Sequence, residues 1–374
     1  MSAARVPLTP EARNALRRRC TLLIGGPPEH NAGDDLIAAG EWCRAQSYAP
    51  DRYGEGPIVA DFEAKIAALL GFEAAVFMPS GTMAQQIALR IHAAETGIDA
   101  FAMHPTSHLE LHEERAYSRV QRLDGVLLGP GDRPTLAADL AAWPERLSAL
   151  LVELPAREIG GQLPAWEELS ELAALARARN VRLHMDGARL WEAREAYAPR
   201  SYADICALFD TVYVSFYKGI GAIAGAALAG SKAFVAQASL WRKRMGGTLV
   251  HLYPYVASAA MRFDGQLARV PAWRTRAISL AQALAQVRGV RILPYPPQVN
   301  MFHVHFSLPA EALAAARDAL AERDGVWIGG RFTVGTSAQS AYMEMYVGES
   351  LCDIAEARVA TAFEDLLAIA QDAP

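Results

Sequence analysis

The stretch Val214-Ser215-Phe216-Tyr217-Lys218-Gly219-Ile220-Gly221 joins an apolar, β-prone run to a single lysine and a glycine-rich turn. An apolar strand is expected to hold this lysine partly buried from water, and the glycines let a bulky group approach the backbone. Desolvation favours the neutral amine, which is the form that makes a Schiff base. A lysine at a strand end is also typical of a solvated terminus, so its assignment depends on the rest of the chain.

A second strand end lies 32 residues upstream, in Leu183-His184-Met185-Asp186-Gly187-Ala188-Arg189. Asp-Gly is ordinary turn chemistry, so Asp186 can be a turn residue. The alternative is a cofactor partner, because pyridoxal 5′-phosphate (PLP) needs a lysine for its aldehyde and a carboxylate that keeps its pyridine nitrogen protonated. Open α/β sheets bind ligands outside the carboxyl ends of their strands, which is where Asp186 and Lys218 are predicted to lie.

The segment Ser80-Gly81-Thr82 is the third candidate, between the strand-like Ala74–Phe77 and the amphipathic run Ala84–Ala94. A hydroxyl-rich turn at a helix start presents free N–H groups and the positive end of the helix dipole, which together bind phosphate. The same segment is also compatible with a plain helix N-cap.

The composition of the chain limits the classes of protein to which it can belong. The chain has 374 residues, of which 52% are hydrophobic, enough for one large and one smaller domain. The net charge of −5 gives no argument for a nucleic-acid partner. Four scattered cysteines without a Cys-x-x-Cys pair indicate a reducing compartment. Because no apolar leader and no 18-residue apolar segment is found, we expect a soluble cytoplasmic protein without a membrane partner.

Strand-like and helix-like patterns alternate from about residue 58, which predicts an α/β fold with a mostly parallel sheet between helices. We expect an N-terminal segment 1–52, a large domain 53–265 and a smaller α+β domain 266–374. The predicted helices of the large domain are Ile58–Leu70, Thr82–Ala94, Trp166–Ala178, Ser231–Met245 and Tyr255–Phe263. Its predicted strands are 74–77, 123–128, 149–154, 181–185, 211–216 and 224–229.

With these motifs in order, the chain resembles the threonine aldolase / β-eliminating lyase family of fold-type I PLP enzymes. The resemblance runs from about Tyr53 to Ala260 and more loosely to the C-terminus. The matching blocks are Tyr53-Gly54-Glu55-Gly56-Pro57, Ala74 to Ala84, His184 to Leu190, Lys218-Gly219-Ile220-Gly221 and Trp241 to Gly247. The resemblance implies a large domain with a seven-stranded type of sheet, and a homodimer or homotetramer.

The resemblance also implies roles for individual residues. Lys218 forms the Schiff base with PLP, and Asp186 pairs with the pyridine nitrogen. His108 stacks on the cofactor ring, and Arg189 faces the substrate carboxylate or the cofactor oxygen. The phosphate is bound by Ser80, Gly81 and Thr82, and Tyr53 lies in the active-site entrance segment, where it reaches a neighbouring subunit.

Substrate-facing positions depart from the family pattern. Glu153 to Glu158 replaces the family's Glu-Asn-Thr-His, whose histidine acts on the substrate hydroxyl, and offers Arg157 and Glu158 instead. Glu344 stands where the family has a carboxylate-binding arginine, so Arg331, Arg157 or Arg189 takes over that contact or the substrate is oriented differently. We expect Tyr53, Arg157, Arg189 and Glu344 to contact the substrate.

The resemblance implies retro-aldol cleavage of a β-hydroxy-α-amino acid to glycine and an aldehyde. His108, a water molecule or a group of the 153–158 loop would take the hydroxyl proton. One alternative is β-elimination from another amino acid, such as a basic one, with Lys218 as the base and Glu344 and Glu158 binding the cation. The other is PLP binding without turnover. No metal site is expected, because His104, His108 and His112 lack a His-Glu-x-x-His pattern.

Overall fold

The computed structural model describes residues 8–26 and 31–372. The strands of this part of the chain are β1 (Leu22–Ile24), β2 (Ala74–Met78), β3 (Ala100–Met103), β4 (Asp124–Leu127), β5 (Ala149–Glu153), β6 (Arg182–Gly187), β7 (Thr211–Ser215), β8 (Ala226–Gly230), β9 (Val290–Leu293), β10 (Met301–Phe306), β11 (Val326–Ile328), β12 (Thr333–Val334) and β13 (Ala341–Tyr346). Its α-helices are α1 (Pro10–Arg19), α2 (Ala32–Gln46), α3 (Pro57–Leu70), α4 (Gly81–Thr96), α5 (His108–Leu111), α6 (Ala116–Arg119), α7 (Ala137–Ala142), α8 (Trp166–Ala178), α9 (Leu190–Ala193), α10 (Tyr202–Cys206), α11 (Lys232–Arg244), α12 (Tyr253–Leu267), α13 (Val270–Leu284), α14 (Ala310–Asp324) and α15 (Glu356–Gln371).

Two compact units are drawn from these elements. One takes its residues from Met1–Glu29 and Pro271–Pro374, and the other comprises His30–Val270. The expected N-terminal segment 1–52, of which 1–7 and 27–30 lie outside the described residues, is therefore divided. The physical reason is local: β1 pairs in parallel with β11 in the first unit, whereas α2 packs against α12 in the second.

The larger unit is built on a seven-stranded sheet with the order β2-β8-β7-β6-β5-β3-β4. All neighbours are parallel except β8, which runs antiparallel to both β2 and β7. The five residues of β7 are all buried, as expected for a strand covered on both faces. The predicted α/β class with a mostly parallel sheet is confirmed.

Local signals explain where the main helices of this unit begin and end. Pro57 at the first turn opens α3, and Gly71 closes it at φ +74°, a left-handed conformation that favours glycine. Ser80 caps α4 through its Oγ, which accepts the Met83 N–H at 3.3 Å. The sequence prediction lacks β3, a four-residue strand that inserts between β5 and β4.

An aromatic cluster packs beneath the turn that follows β7. Phe216 is fully buried and stacks on Phe77 at 5.9 Å between ring centroids. It also contacts Phe62 at 5.0 Å and Phe263 at 6.2 Å. Gly225 at φ +108° passes so close that a Cβ there would lie 2.2 Å from the Phe77 ring. Burial of these rings fixes the backbone of the residue two positions before Lys218.

The smaller unit has the four-stranded antiparallel sheet β12-β13-β10-β9. Its buried core includes Phe302, Val304 and Met343 from the sheet, with Phe363 and Leu313 from the helices α15 and α14. This arrangement confirms the predicted smaller α+β unit. Within the described residues, no helix combines the length and the apolar character that crossing a membrane requires.

A polar network lies buried inside the larger unit, on β6, β7 and α4. His184 is fully buried, with Nδ1 2.8 Å from Thr211 Oγ1 and Nε2 2.6 Å from Gln85 Oε1. The same hydroxyl lies 2.8 Å from His92 Nε2. Burial, with the neighbouring His92, lowers the pKa of His184 from 6.5 to about 3. His184 is therefore neutral in the folded protein at pH 5, whereas it is protonated in the unfolded chain.

This difference predicts acid sensitivity of the fold. The contribution of neutral His184 is complete above pH 6.5, and it falls by about 1.4 kcal/mol for each unit of pH between 6.5 and 3. The free energy of unfolding in urea is measured for the parent and for His184→Gln at pH 7 and pH 5. Groups that titrate in both proteins cancel when the two free energies are subtracted. We expect the parent's advantage to shrink by about 2 kcal/mol at pH 5. An advantage independent of pH would contradict the account.

Candidate active site

Asp186 lies at the carboxyl end of β6, in the middle of the large sheet. It is only 3% exposed, and its Oδ1 accepts the Ala188 N–H at 3.0 Å. Burial raises the pKa of Asp186, while the positive charge of Lys218 acts in the opposite direction. The carboxyl group therefore depends on a nearby cation to stay ionised.

Glu153 is a second carboxylic acid at the same edge of the sheet, and it was not among the predicted site residues. In the β5–β6 register it is the direct partner of Asp186. Burial raises the pKa of Glu153 to about 7, and the negative charge of Asp186 adds to this effect. Its position at the end of the strand beside β6 was the available signal, but strand order cannot be read from one sequence.

Lys218 follows β7, the next strand in the sheet. Its amine is half-buried, and its Nζ lies 6.0 Å from the centroid of the Tyr217 ring. Burial lowers the pKa of Lys218, and the positive charge of Arg189 lowers it further, while Asp186 raises it. The turn is closed by a bond from the Gly221 N–H to the Lys218 carbonyl at 3.0 Å. The lysine is thus prepared to become a neutral amine.

The N-terminus of α4 meets two tyrosine hydroxyls. A Cβ on Gly81 would lie 2.1 Å from Tyr213 Oη and 2.9 Å from Tyr217 Oη, so this position admits glycine only. The two hydroxyls are 3.4 Å apart. Ser80 Oγ is used as the helix cap. Free N–H groups at the start of a 16-residue helix, with hydroxyl groups beside them, form a cradle for an anion.

A buried carboxylate connects this cradle to the predicted stacking histidine. Glu113 accepts the Thr82 hydroxyl at 3.1 Å and the Gln86 amide at 3.2 Å. The Nδ1 of His108 lies 3.1 Å from the same Glu113, whose side chain is 2% exposed. Thr82 and His108 therefore share one carboxylate partner, and their roles toward a cofactor stay predictions. Glu113 itself was not predicted, because its side chain turns inward from an irregular segment.

The 153–158 loop lies against the same group of residues. The Arg157 N–H donates to Glu153 Oε1 at 3.1 Å, and the Arg157 guanidinium donates to Glu158 Oε1 at 2.6 Å. The charge of Arg157 also lowers the pKa of Lys218, after the larger effects of burial and Arg189. Glu158 Oε1 is 2.9 Å from His112 Nε2.

Two further residues, Tyr53 and Glu344, were predicted to contact the substrate. Tyr53 is 49% exposed, and its backbone N–H donates to the Val250 carbonyl at 2.8 Å. Its segment is anchored by Asp51, which is fully buried and accepts the N–H groups of Gly54 and Leu252, each at 2.8 Å. Glu344 belongs to the smaller unit, on β13 opposite His303. Their contacts with substrate stay predictions.

Comparisons with known proteins agree with this arrangement. The family model described as beta-eliminating lyase matches residues 45–307. The aldolase vrtJ of Penicillium aethiopicum is 32% identical over 313 residues, which is 80% of this chain and 76% of that protein. The low specificity L-threonine aldolase of Escherichia coli is 28% identical over 252 residues, 66% of this chain and 74% of that protein.

A solved structure supports the same relationship. The putative L-allo-threonine aldolase of Listeria monocytogenes EGD-E has a TM-score of 0.88 and is 40% identical, covering 95% of this chain and 99% of that one. The match extends over both units, and the family model spans the strands that carry Glu153, Asp186 and Lys218. The chain belongs to the β-eliminating lyase family, whose members are fold-type I, PLP-dependent lyases.

Proposed function

We propose that this protein binds PLP and cleaves a β-hydroxy-α-amino acid to glycine and an aldehyde. The observation that carries the proposal is the pairing of a half-buried lysine with a buried aspartate at adjacent strand ends. Lys218 has a pKa lowered by burial and Arg189, and Asp186 has a pKa raised by burial. A neutral amine and a carboxylate in need of a cation are what the aldehyde and the pyridine nitrogen of PLP require.

The residues present fit the cofactor at its other end as well. The N–H groups of Gly81 and Thr82, with the hydroxyl of Tyr217, would hold the phosphate at the start of α4. His108, oriented by Glu113, would lie on the ring. The protonated nitrogen of the ring would keep Asp186 ionised despite its burial.

Bound PLP supplies an electron sink for the electron pair that remains at Cα when a substrate bond breaks. The chain's own residues orient the amino acid and move its protons. Arg189 precedes α9 and its charge lowers the pKa of Lys218, so in this proposal it would receive the substrate carboxylate. Arg157, Glu158 and His112 are joined by hydrogen bonds, and in this proposal they would meet the side-chain end of the substrate.

The names of the relatives favour carbon–carbon cleavage over β-elimination. Proteins named as aldolases match most of this chain, at 32% and 40% identity. The idea that Glu158 selects a cationic substrate receives no support, because its Oε1 already accepts from Arg157 and lies beside His112.

We also propose a cytoplasmic homodimer or homotetramer. Tyr53 and Val250 lie next to each other and are 49% and 53% exposed, which suits a surface that a second copy covers. The four cysteines are free thiols, as expected in a reducing compartment.

Product analysis tests the proposed reaction. With threonine, allo-threonine or phenylserine as substrate, we expect release of glycine and the matching aldehyde, and no release from Lys218→Ala. The measurement is amino-acid chromatography together with an aldehyde assay. Formation of a keto acid and ammonia without glycine would show β-elimination instead. Binding of PLP with neither set of products would show a protein without turnover.

A glycine substitution tests the phosphate cradle. Gly81→Ala introduces a methyl group 2.1 Å from Tyr213 Oη, which must displace the start of α4. We expect the dissociation constant for PLP to rise at least tenfold, about 1.4 kcal/mol, in an absorbance titration of the cofactor-free protein. Gly265→Ala is the matched control, because a Cβ there meets nothing within 4 Å. Equal PLP binding by Gly81→Ala and the parent would refute the assignment.

A further inference from the structure

We propose that His112, oriented by Glu158, is the general base that takes the proton of the substrate's β-hydroxyl group. The inference rests on the proposed function, since it names a residue for the same site. Cleavage between Cα and Cβ requires removal of the hydroxyl proton as the carbonyl of the aldehyde forms.

Position is the first argument. His112 follows α5 directly, and its N–H donates to the His108 carbonyl at 2.8 Å, so the two imidazoles lie one helical turn apart. Their ring centroids are 5.1 Å apart. If His108 lies on the face of the cofactor ring, the imidazole of His112 is its direct neighbour, and the Arg157 that holds Glu158 is close enough to Lys218 for its charge to lower the pKa of that lysine.

Availability is the second argument. The Nδ1 of His108 is engaged by Glu113, and Asp186 would pair with the ring nitrogen of the cofactor. The Glu153 carboxyl accepts the Arg157 N–H. The side chain of His112 is 41% exposed, so the surrounding protein does not enclose its imidazole.

The third argument is the orientation that Glu158 imposes on the ring. Glu158 Oε1 lies 2.9 Å from His112 Nε2, and the same oxygen accepts from Arg157 at 2.6 Å. An N–H at Nε2 that donates to this carboxylate leaves the lone pair on Nδ1. The carboxylate also stabilises the imidazolium that forms when Nδ1 takes a proton. Arg157 in turn fixes the carboxylate and belongs to the loop bound to Glu153.

The proton and electron balance of the step is complete. The O–H bond breaks and its proton passes to Nδ1 of His112, while the O–H electron pair forms the second C–O bond of the aldehyde. The Cα–Cβ bond breaks, and its electron pair stays on Cα. His112 then releases its proton to solvent, and Cα takes a proton from solvent, which gives glycine. No oxidant or further reactant is needed.

Replacement of the imidazole tests the proposal in the PLP-loaded protein. We expect His112→Ala to lower kcat for glycine release from phenylserine at least 100-fold, within the range of general-base catalysis. Free imidazole should restore part of this rate. Two readouts that do not involve the hydroxyl should stay within about threefold of the parent: the absorbance change on glycine titration, and deuterium exchange at glycine Cα. Leu111→Ala, an exposed neighbour on α5, is the matched control and should retain full activity and gain nothing from imidazole.

Glu158→Gln tests whether the carboxylate of Glu158 contributes to catalysis in addition to the imidazole of His112. The amide can still accept from Nε2 but does not stabilise an imidazolium, so we expect roughly a tenfold fall in kcat.

Several outcomes would overturn the proposal. One is a His112→Ala rate within threefold of the parent. Another is joint loss of cleavage, glycine binding and glycine exchange without imidazole rescue, which would show a structural role. A parent protein that exchanges the glycine proton but cleaves no β-hydroxy amino acid would overturn the proposed function itself, and this proposal with it.

Discussion

Burial of the Asp186 carboxylate at the centre of the sheet is the constraint on which the site depends. The carboxylate accepts the Ala188 N–H but is otherwise cut off from water, so it relies on cations for its ionised form. The positive charge of Lys218 opposes the effect of burial on the pKa of Asp186. Burial and then the positive charge of Arg189 lower the pKa of Lys218 itself. Exclusion of water therefore has two effects at this site: the Asp186 carboxylate needs a nearby cation to stay ionised, and the Lys218 amine loses its proton more readily.

The rest of the larger unit holds these groups in place. Parallel β5, β6 and β7 bring Glu153, Asp186 and the Lys218 turn to one edge. The buried Phe216 and the close passage of Gly225 fix the turn from below. Gly81, which has no side chain, leaves room at the start of α4. Strand ends therefore supply the acid and the amine, and a helix N-terminus supplies the anion site.

Much of this arrangement could be predicted from the sequence, because its signals are local. Apolar runs located β6 and β7, the helix Trp166–Ala178 was predicted with its observed bounds, and Ser80 precedes α4 as a cap should. Glu113 and Glu153 could not be found in this way, because their roles arise from strand order and from contacts between distant segments. His112 was weighed only as a metal ligand, since its partner Glu158 lies 46 residues away in the chain.

The central claim is that one desolvated lysine carries the cofactor, and the chain allows a clean measurement. It has four lysines, Lys65, Lys218, Lys232 and Lys243, and the three other than Lys218 are exposed. Borohydride reduction of the PLP-loaded protein, followed by peptide mass spectrometry, locates the covalent adduct. The account predicts the pyridoxyl mass on the peptide containing Lys218 at near one equivalent per chain. An adduct on another lysine, or none on Lys218, would contradict it.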